Sequence, residues 1–122
     1  MLKLAESRNE INVVSDQIGA PTYTKDLAEF VVKLVQTNSY GTYHGVNEGY
    51  CSWHKFAISI FEKSVIDMKV NPISSDDYPT KAKRPLNSRL SKENSDKSGI
   101  DRMPHWEDAI TRFIEELNSQ EV

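Results

Sequence analysis

The sequence predicts an α/β fold of about three short strands and three amphipathic helices. Two observations carry this prediction: three segments repeat apolar residues at helical spacing, and short segments of β character alternate with them along the chain. Three short strands make a thin sheet for so many amphipathic helices. The pattern therefore indicates one portion of a larger sheet.

Each predicted helix has apolar residues at i, i+3, i+4, i+7 and i+8. The three sets are Leu27, Phe30, Val31, Leu34 and Val35; Trp53, Phe56, Ala57, Ile60 and Phe61; and Trp106, Ala109, Ile110, Phe113 and Ile114. Thr24 and Ser52 are predicted to cap the first two helices at their N-termini, because a side-chain oxygen there can accept from an unpaired backbone N–H. Residues 1–7 predict a short additional helical end.

The predicted strands cover residues 11–14, 42–46 and 70–73. Pro72 lies in the third, which favours an edge or a strand end, since proline cannot donate to a ladder. Residues 74–85 form a long segment with two prolines and little periodicity. Such loops are often functional or disordered.

Composition places the chain among ordinary globular domains, with 38% apolar and 27% charged residues. The length predicts one domain, residues 1–122. No apolar run is long enough to span a bilayer, the N-terminal residues do not resemble a secretory signal, and Cys51 is a lone cysteine. We therefore expect a cytoplasmic protein without a membrane partner. The net charge of −3 argues against general nucleic-acid binding.

Two kinds of site find no support in the sequence. The five glycines form no G-x-G-x-x-G turn, so we expect no dinucleotide cofactor on these residues. His44, His54 and His105 are isolated and show no ligand spacing with Cys51, so we expect no metal site.

Residues 16–24 join the first predicted strand to the first helix, a position where open α/β sheets bind ligands. Gly19 permits close approach of a ligand, Pro21 stiffens the turn, and Gln17 and Thr22 offer hydrogen bonds. A well-capped turn without a ligand explains the same residues. From the residues alone, that simpler reading is favoured.

Residues 81–92 carry five basic side chains and no acidic one. An arginine fork such as that of Arg84 suits a phosphate or pyrophosphate, the neighbouring Lys83 raises the local anion concentration, and Pro85 stiffens the loop. A solvated basic loop or a weak nucleic-acid patch remains open on charge alone.

Three motifs resemble the dTDP-4-dehydrorhamnose reductase family, a branch of the extended short-chain dehydrogenases. Residues 16–28 read D-Q-I-G-A-P-T-Y-T-K-D-L-A, residues 41–57 read G-T-Y-H-G-V-N-E-G-Y-C-S-W-H-K-F-A, and residues 83–90 read K-R-P-L-N-S-R-L. Their order and spacing resemble the family over nearly the whole chain. Ser91 departs from the pattern, because the family usually has an aspartate at that position.

The resemblance implies an incomplete portion of a Rossmann-type fold: the C-terminal, substrate-binding part of an enzyme that reduces a dTDP-4-keto-6-deoxy sugar with NADPH or NADH. The family's Tyr-x-x-x-Lys pair and glycine-rich turn lie in its N-terminal half and are absent from these residues. The chain alone is therefore expected to be inactive and to bind no cofactor. By similarity, the sugar nucleotide is bound by Gln17, Gly19, Pro21, Thr22, Lys83, Arg84 and Pro85, with Arg84 at the pyrophosphate.

Two other functions stay open at this point. One is a non-catalytic member of the same family, similar to the regulatory β subunit of methionine adenosyltransferase. The other is a free-standing anion or nucleic-acid binding module built on residues 81–92. If the chain is a fragment, the apolar faces and sheet edges that its partner cofactor domain would cover are exposed. We then expect self-association, or partial disorder near the N-terminus and over residues 74–98.

Overall fold

The computed structural model describes residues 1–120, which form two compact units. The first unit combines Met1–Gly19 with Cys51–Ser88, and the second combines Ala20–Tyr50 with residues 89–120. In chain order the elements are α1 (Leu2–Ala5), β1 (Glu10–Val14), β2 (Ile18–Gly19), α2 (Thr24–Val35), β3 (Asn47–Glu48), β4 (Cys51–Ser52), α3 (Trp53–Lys63), β5 (Lys69–Ile73), a 3-10 turn (Ser75–Asp77), α4 (Glu93–Lys97), β6 (Met103–His105) and α5 (Trp106–Gln120).

The first unit is built on a parallel pair of strands. β1 pairs with β5 from Glu10↔Lys69 to Val14↔Ile73, which confirms two of the three predicted strands. Side chains alternate across a strand, so one face of β1 packs on α3. Its core consists of Ile11, Val13, Ala57 and Phe61.

Helix α3 begins and ends with two well-formed caps. Ser52 Oγ accepts from the N–H of Lys55 at 3.1 Å, which confirms the predicted N-cap. At the C-terminus the N–H of Ile66 donates to the carbonyl of Phe61, while Val65 adopts a φ of 56°. This is a Schellman ending with valine where glycine is preferred. Trp53, assigned by periodicity to the apolar face, is 54% exposed.

The second unit has its own core, in which α2 and α5 bury the apolar positions nearest the centre. Phe30 packs with Ile100 and Met103, and Leu27 and Leu34 flank them. The periodicity of α2 is confirmed, but Val31 and Val35 of the predicted apolar face are 46% and 72% exposed. A helical stripe identifies a candidate face, and the neighbouring elements decide how much of it is covered.

The predicted strand over residues 42–46 is wrong. The ladder forms at β3 instead, where Asn47 pairs with Met103 and Glu48 with His105 of β6. The carbonyl of Thr42 accepts from the side-chain amide of Asn94. A side chain thus satisfies this backbone group, which a strand partner would otherwise have to satisfy.

The predicted cap at Thr24 is also wrong, because Thr24 is the first residue of α2 and Tyr23 occupies the cap position without a side-chain hydrogen bond. The backbone N–H of Tyr23 donates instead to Asn47 Oδ1 at 2.8 Å. Asp26 lies in the first turn of α2 and is almost fully buried. None of the helices in residues 1–120 combines the length and the hydropathy needed to cross a membrane.

Candidate functional site

Three segments of the first unit meet at Ile18. Ile18 pairs with Ser52 of β4, and it also bridges to Asn87. The backbone N–H of Ile18 donates to the carbonyl of Leu86, and the N–H of Ser88 donates to the carbonyl of Ile18, each at 2.8 Å. The strand-to-helix segment and the end of the basic loop are therefore joined by backbone hydrogen bonds, although about 70 residues separate them in sequence.

Gln17 is half-buried, and its side-chain Nε2 donates to Ser75 Oγ at 3.0 Å. The carboxylate of Asp16 accepts from the same serine: the hydroxyl donates to Oδ1 at 2.6 Å, and the backbone N–H donates to Oδ2 at 2.9 Å and to Oδ1 at 3.1 Å. These bonds lower the pKa of the Asp16 carboxyl below its usual value, and the bond from the hydroxyl contributes most. Sequence reasoning did not identify Ser75, because no local signal links it to a residue 58 positions earlier.

Among the described residues, there is room for a side chain at Gly19. A Cβ there would come no closer than 3.8 Å to a protein atom, the Cβ of Ser88. Its φ also lies outside the left-handed region that requires glycine. The fold itself therefore tolerates a side chain at this position, which leaves ligand approach as the predicted reason for the glycine.

Pro21 and Thr22 belong to the second unit, unlike Gln17 and Gly19. Pro21 is partly exposed. Thr22 is exposed, and its hydroxyl donates to the carbonyl of Ala20 at 3.2 Å. The sequence-predicted set is thus divided between the two units.

Lys83, Arg84 and Pro85 are all exposed in the first unit, on the segment that leads into Leu86. Within residues 1–120, neither Lys83 nor Arg84 forms an ion pair. Upstream of these residues, the Thr80 hydroxyl donates to the carbonyl of Ala82 at 2.7 Å. The guanidinium of Arg84 is therefore available to an anion from solvent.

Not every basic side chain of residues 81–92 is available to a ligand, because Lys92 is buried. Lys92 is 8% exposed, and its Nζ lies 2.8 Å from Glu48 Oε1 and 4.7 Å from the centre of the Tyr50 ring. Burial raises the pKa of Glu48, but the hydrogen bonds from Lys92 and Arg102 outweigh it, and the net pKa lies below its usual value. This pairing weakens the hypothesis of a nucleic-acid module on residues 81–92.

Ser91, the departure from the family motif, lies just before α4. Its Oγ accepts from the backbone N–H of Glu93 at 3.3 Å, a bond of the kind made by residues that cap helix N-termini. An aspartate could accept the same bond. The substitution therefore preserves a local structural contact.

The described residues do not fit a dinucleotide or a metal. β2 ends at Gly19, no further glycine lies between it and α2, and the backbone N–H of Tyr23 at the start of that helix already donates to Asn47. Across residues 1–120 no three His, Cys, Asp or Glu side chains cluster as metal ligands.

A buried ion pair in the second unit was not predicted. Asp26 Oδ1 lies 2.7 Å from Arg112 Nη1 and Oδ2 lies 2.8 Å from Nη2, while Asn47 Nδ2 also donates to the carboxylate. The hydrogen bonds from Arg112 are the main reason that the pKa of Asp26 lies below its usual value. The arrangement links the first turn of α2 to α5 and has a structural role.

This arrangement of strands and helices places the chain in the class of Rossmann-type α/β reductase folds. The family described as RmlD substrate binding domain matches residues 1–119, and the chain belongs to that family. This membership confirms the resemblance of the three motifs to dTDP-4-dehydrorhamnose reductases.

Sequence relatives agree with this family. The chain is 45% identical over 119 residues to the spore coat polysaccharide biosynthesis protein SpsK of Bacillus subtilis, covering 98% of the chain and 41% of that protein. It is 36% identical over 128 residues to the dTDP-4-dehydrorhamnose reductase of Escherichia coli K12, covering 96% of the chain and 43% of that enzyme. The chain thus spans about two fifths of the length of these relatives.

Solved structures give the same result. The chain superposes with a TM-score of 0.93 on a dTDP-4-dehydrorhamnose reductase from Clostridium acetobutylicum, at 37% identity over 96% of the chain and 42% of that structure. A dTDP-4-dehydrorhamnose reductase from Bacillus anthracis, solved in complex with NADP, gives a TM-score of 0.88 at 41% identity over 94% of the chain and 40% of that structure.

Proposed function

We propose that this chain is the sugar-nucleotide-binding part of a dTDP-4-dehydrorhamnose reductase, which reduces dTDP-4-dehydro-L-rhamnose to dTDP-L-rhamnose in polysaccharide biosynthesis. The observation that carries the proposal is the junction at Ile18. There, the segment containing Gln17 and the segment that follows Arg84 are hydrogen-bonded in one unit. Both segments carry family motifs, and one presents an exposed guanidinium.

The roles of the residues follow from their chemistry. Arg84 binds the pyrophosphate, because a guanidinium offers a fork of donors that matches phosphate oxygens. Lys83 adds positive charge, and Pro85 limits the conformations of the loop. Gln17 and Gly19 lie at the other segment of the junction, where an amide offers hydrogen bonds and a glycine leaves room for the ligand.

Pro21 and Thr22 are included in the proposed set because they belong to the same family motif as Gln17 and Gly19. The hydroxyl of Thr22 is exposed and can exchange its bond to Ala20 for one to a ligand. Pro21 restricts the backbone of the same turn.

Hydride transfer belongs to residues outside these 122. The NADPH or NADH of the proposed enzyme supplies the hydride, and a Tyr-x-x-x-Lys pair supplies the proton. The present sequence contains no such pair, since Tyr50 is followed by lysine at five residues and Tyr78 at three. We infer that the chain binds the sugar nucleotide without reducing it, and that a cofactor domain is its partner. A cytoplasmic location and a homo-oligomer stay predictions.

Calorimetric titration of the 122-residue chain with dTDP-L-rhamnose tests the proposal. Arg84→Ala is expected to weaken binding by about 10- to 150-fold, since a hydrogen bond to a charged group contributes about 1.5–3 kcal/mol. Arg8→Ala is the matched control, because Arg8 is exposed in the same unit and its removal changes the net charge equally. Equal affinities of both variants would refute the role of Arg84, and no saturable binding to the unmodified chain would refute the proposal.

A further inference from the structure

The side chain of Gln17 belongs to a small hydrogen-bond network with Ser75 and Asp16. Its Nε2 donates to Ser75 Oγ at 3.0 Å, and the Ser75 hydroxyl donates to Asp16 Oδ1 at 2.6 Å. The backbone N–H of Ser75 donates to Oδ2 of the same carboxylate at 2.9 Å. All three residues belong to the first unit.

This chain of bonds fixes which way the Gln17 amide faces. An ionised carboxylate only accepts hydrogen bonds, so the hydroxyl hydrogen of Ser75 is committed to Asp16. The Ser75 oxygen can then only accept, and it must face the NH₂ group of Gln17. A flipped amide would place two acceptors against each other, so the orientation follows from the network.

The amide oxygen of Gln17 is consequently directed away from Ser75. Within residues 1–120 no hydrogen bond to this Oε1 forms. The side chain is half-buried, so part of its surface faces solvent. Gln17 Oε1 is thus an acceptor that is held in one direction and receives no hydrogen bond from the described residues. Such an acceptor suits a ligand that carries a hydrogen-bond donor.

We propose that Gln17 Oε1 is a preorganised acceptor for a hydroxyl or N–H group of the bound sugar nucleotide, with Ser75 and Asp16 as positioning residues. The inference rests on the proposed function. An acceptor cannot polarise a ketone, so the partner of Gln17 is a donor elsewhere on the ligand. Candidates are a hydroxyl of the hexose and a donor of the nucleoside.

The hydrogen-bond chain is tested first without ligand. NMR of the 122-residue chain, labelled with ¹⁵N, follows the side-chain amide resonances of Gln17. Ser75→Ala is expected to shift them and to speed their exchange with water, and Ser75→Thr is expected to restore them. Ser74→Ala is the matched control, because the Ser74 hydroxyl donates to Asp77 and not to Asp16. Unchanged Gln17 resonances in Ser75→Ala would overturn the positioning role.

The ligand contact is tested by titration with dTDP and with dTDP-L-rhamnose. Gln17→Met is expected to weaken binding by about 2- to 13-fold, the range for one neutral hydrogen bond. Ser75→Ala is expected to lose part of that affinity, Ser75→Thr to recover it, and Ser74→Ala to bind normally. A loss for dTDP-L-rhamnose alone places the donor on the hexose, and an equal loss for both ligands places it on the nucleoside.

Two outcomes separate this inference from the proposed function. If Gln17→Met binds both ligands normally while Arg84→Ala weakens them, the acceptor role is overturned and the proposed function stands. If neither variant changes the affinity, or the unmodified chain does not bind, both are overturned.

Discussion

Replacement of Arg112 by methionine tests how much the second unit depends on its buried ion pair. The variant leaves Asp26, which is 4% exposed, with the amide of Asn47 as its remaining side-chain donor at 2.7 Å. A buried carboxylate without its cation is unfavourable, because the low local dielectric penalises unpaired charge. We expect a marked loss of stability at neutral pH.

The expected magnitude is about 2–3 kcal/mol at pH 7. Breaking a fully buried pair costs about 3–5 kcal/mol. The loss is smaller here because the Arg112 side chain is 36% exposed and Asn47 still donates to the carboxylate. The bond from Arg112 to Asp108, which is 58% exposed, adds only about 0.3–0.5 kcal/mol.

The pH dependence has a definite sign. In the unmodified chain the pKa of Asp26 is lowered, so its stabilising contribution is complete above the unfolded value of about 3.9 and is lost as the pH falls through the folded pKa. Without Arg112, burial is expected to raise the pKa of Asp26 above that value. The carboxyl then protonates at a higher pH, so the deficit of the variant should shrink between pH 7 and pH 4.

Urea unfolding followed by tryptophan fluorescence measures this effect. The Trp53→Phe background leaves Trp106, which is 1% exposed in the second unit, as the reporter. Arg102→Met is the control, because Arg102 is 49% exposed and its ion pairs are expected to contribute less than about 1 kcal/mol. An Arg112→Met loss no larger than that of the control, or a deficit that grows on acidification, would refute the reasoning.

Three further substitutions give expected outcomes in the same unfolding assay. Val65→Gly should stabilise the chain by about 0.5–1 kcal/mol, because Val65 has a φ of 56° at the end of α3; a destabilised variant would contradict this. Gly49→Ala should destabilise by about 2 kcal/mol or more, since φ is 79° and a Cβ would lie 2.2 Å from His105; stability equal to that of the unmodified chain would show that His105 moves freely. Gly19→Ala should change stability by less than about 0.5 kcal/mol yet weaken dTDP-L-rhamnose binding, and normal binding would remove Gly19 from the proposed site.

The three amphipathic helices could be predicted because their signal is local. An apolar stripe with a period of 3.6 residues is visible in a window of a dozen residues, and α2, α3 and α5 all follow one. The Ser52 cap was predictable for the same reason, since its partner Lys55 is three residues away.

Strands and caps with distant partners could not be predicted equally well. Residues 42–46 have β character, but the ladder forms at Asn47 and Glu48 because β6 provides partners there. At the start of α2 the backbone N–H of Tyr23 donates to Asn47, 24 residues further along the chain, and the predicted cap at Thr24 does not form. Strand propensity and capping preference describe one residue, whereas a hydrogen bond needs two.

The candidate site divides in the same way. Sequence by itself determined the family, the amphipathic helices, and the two motif segments that contain Gln17 and Arg84, because these are recorded in short runs of residues. Only the tertiary structure joined those segments at Ile18, buried Lys92 against Glu48, and oriented the amide of Gln17. The physical reason is that these contacts join residues distant in sequence, so their geometry exists only after the chain has folded.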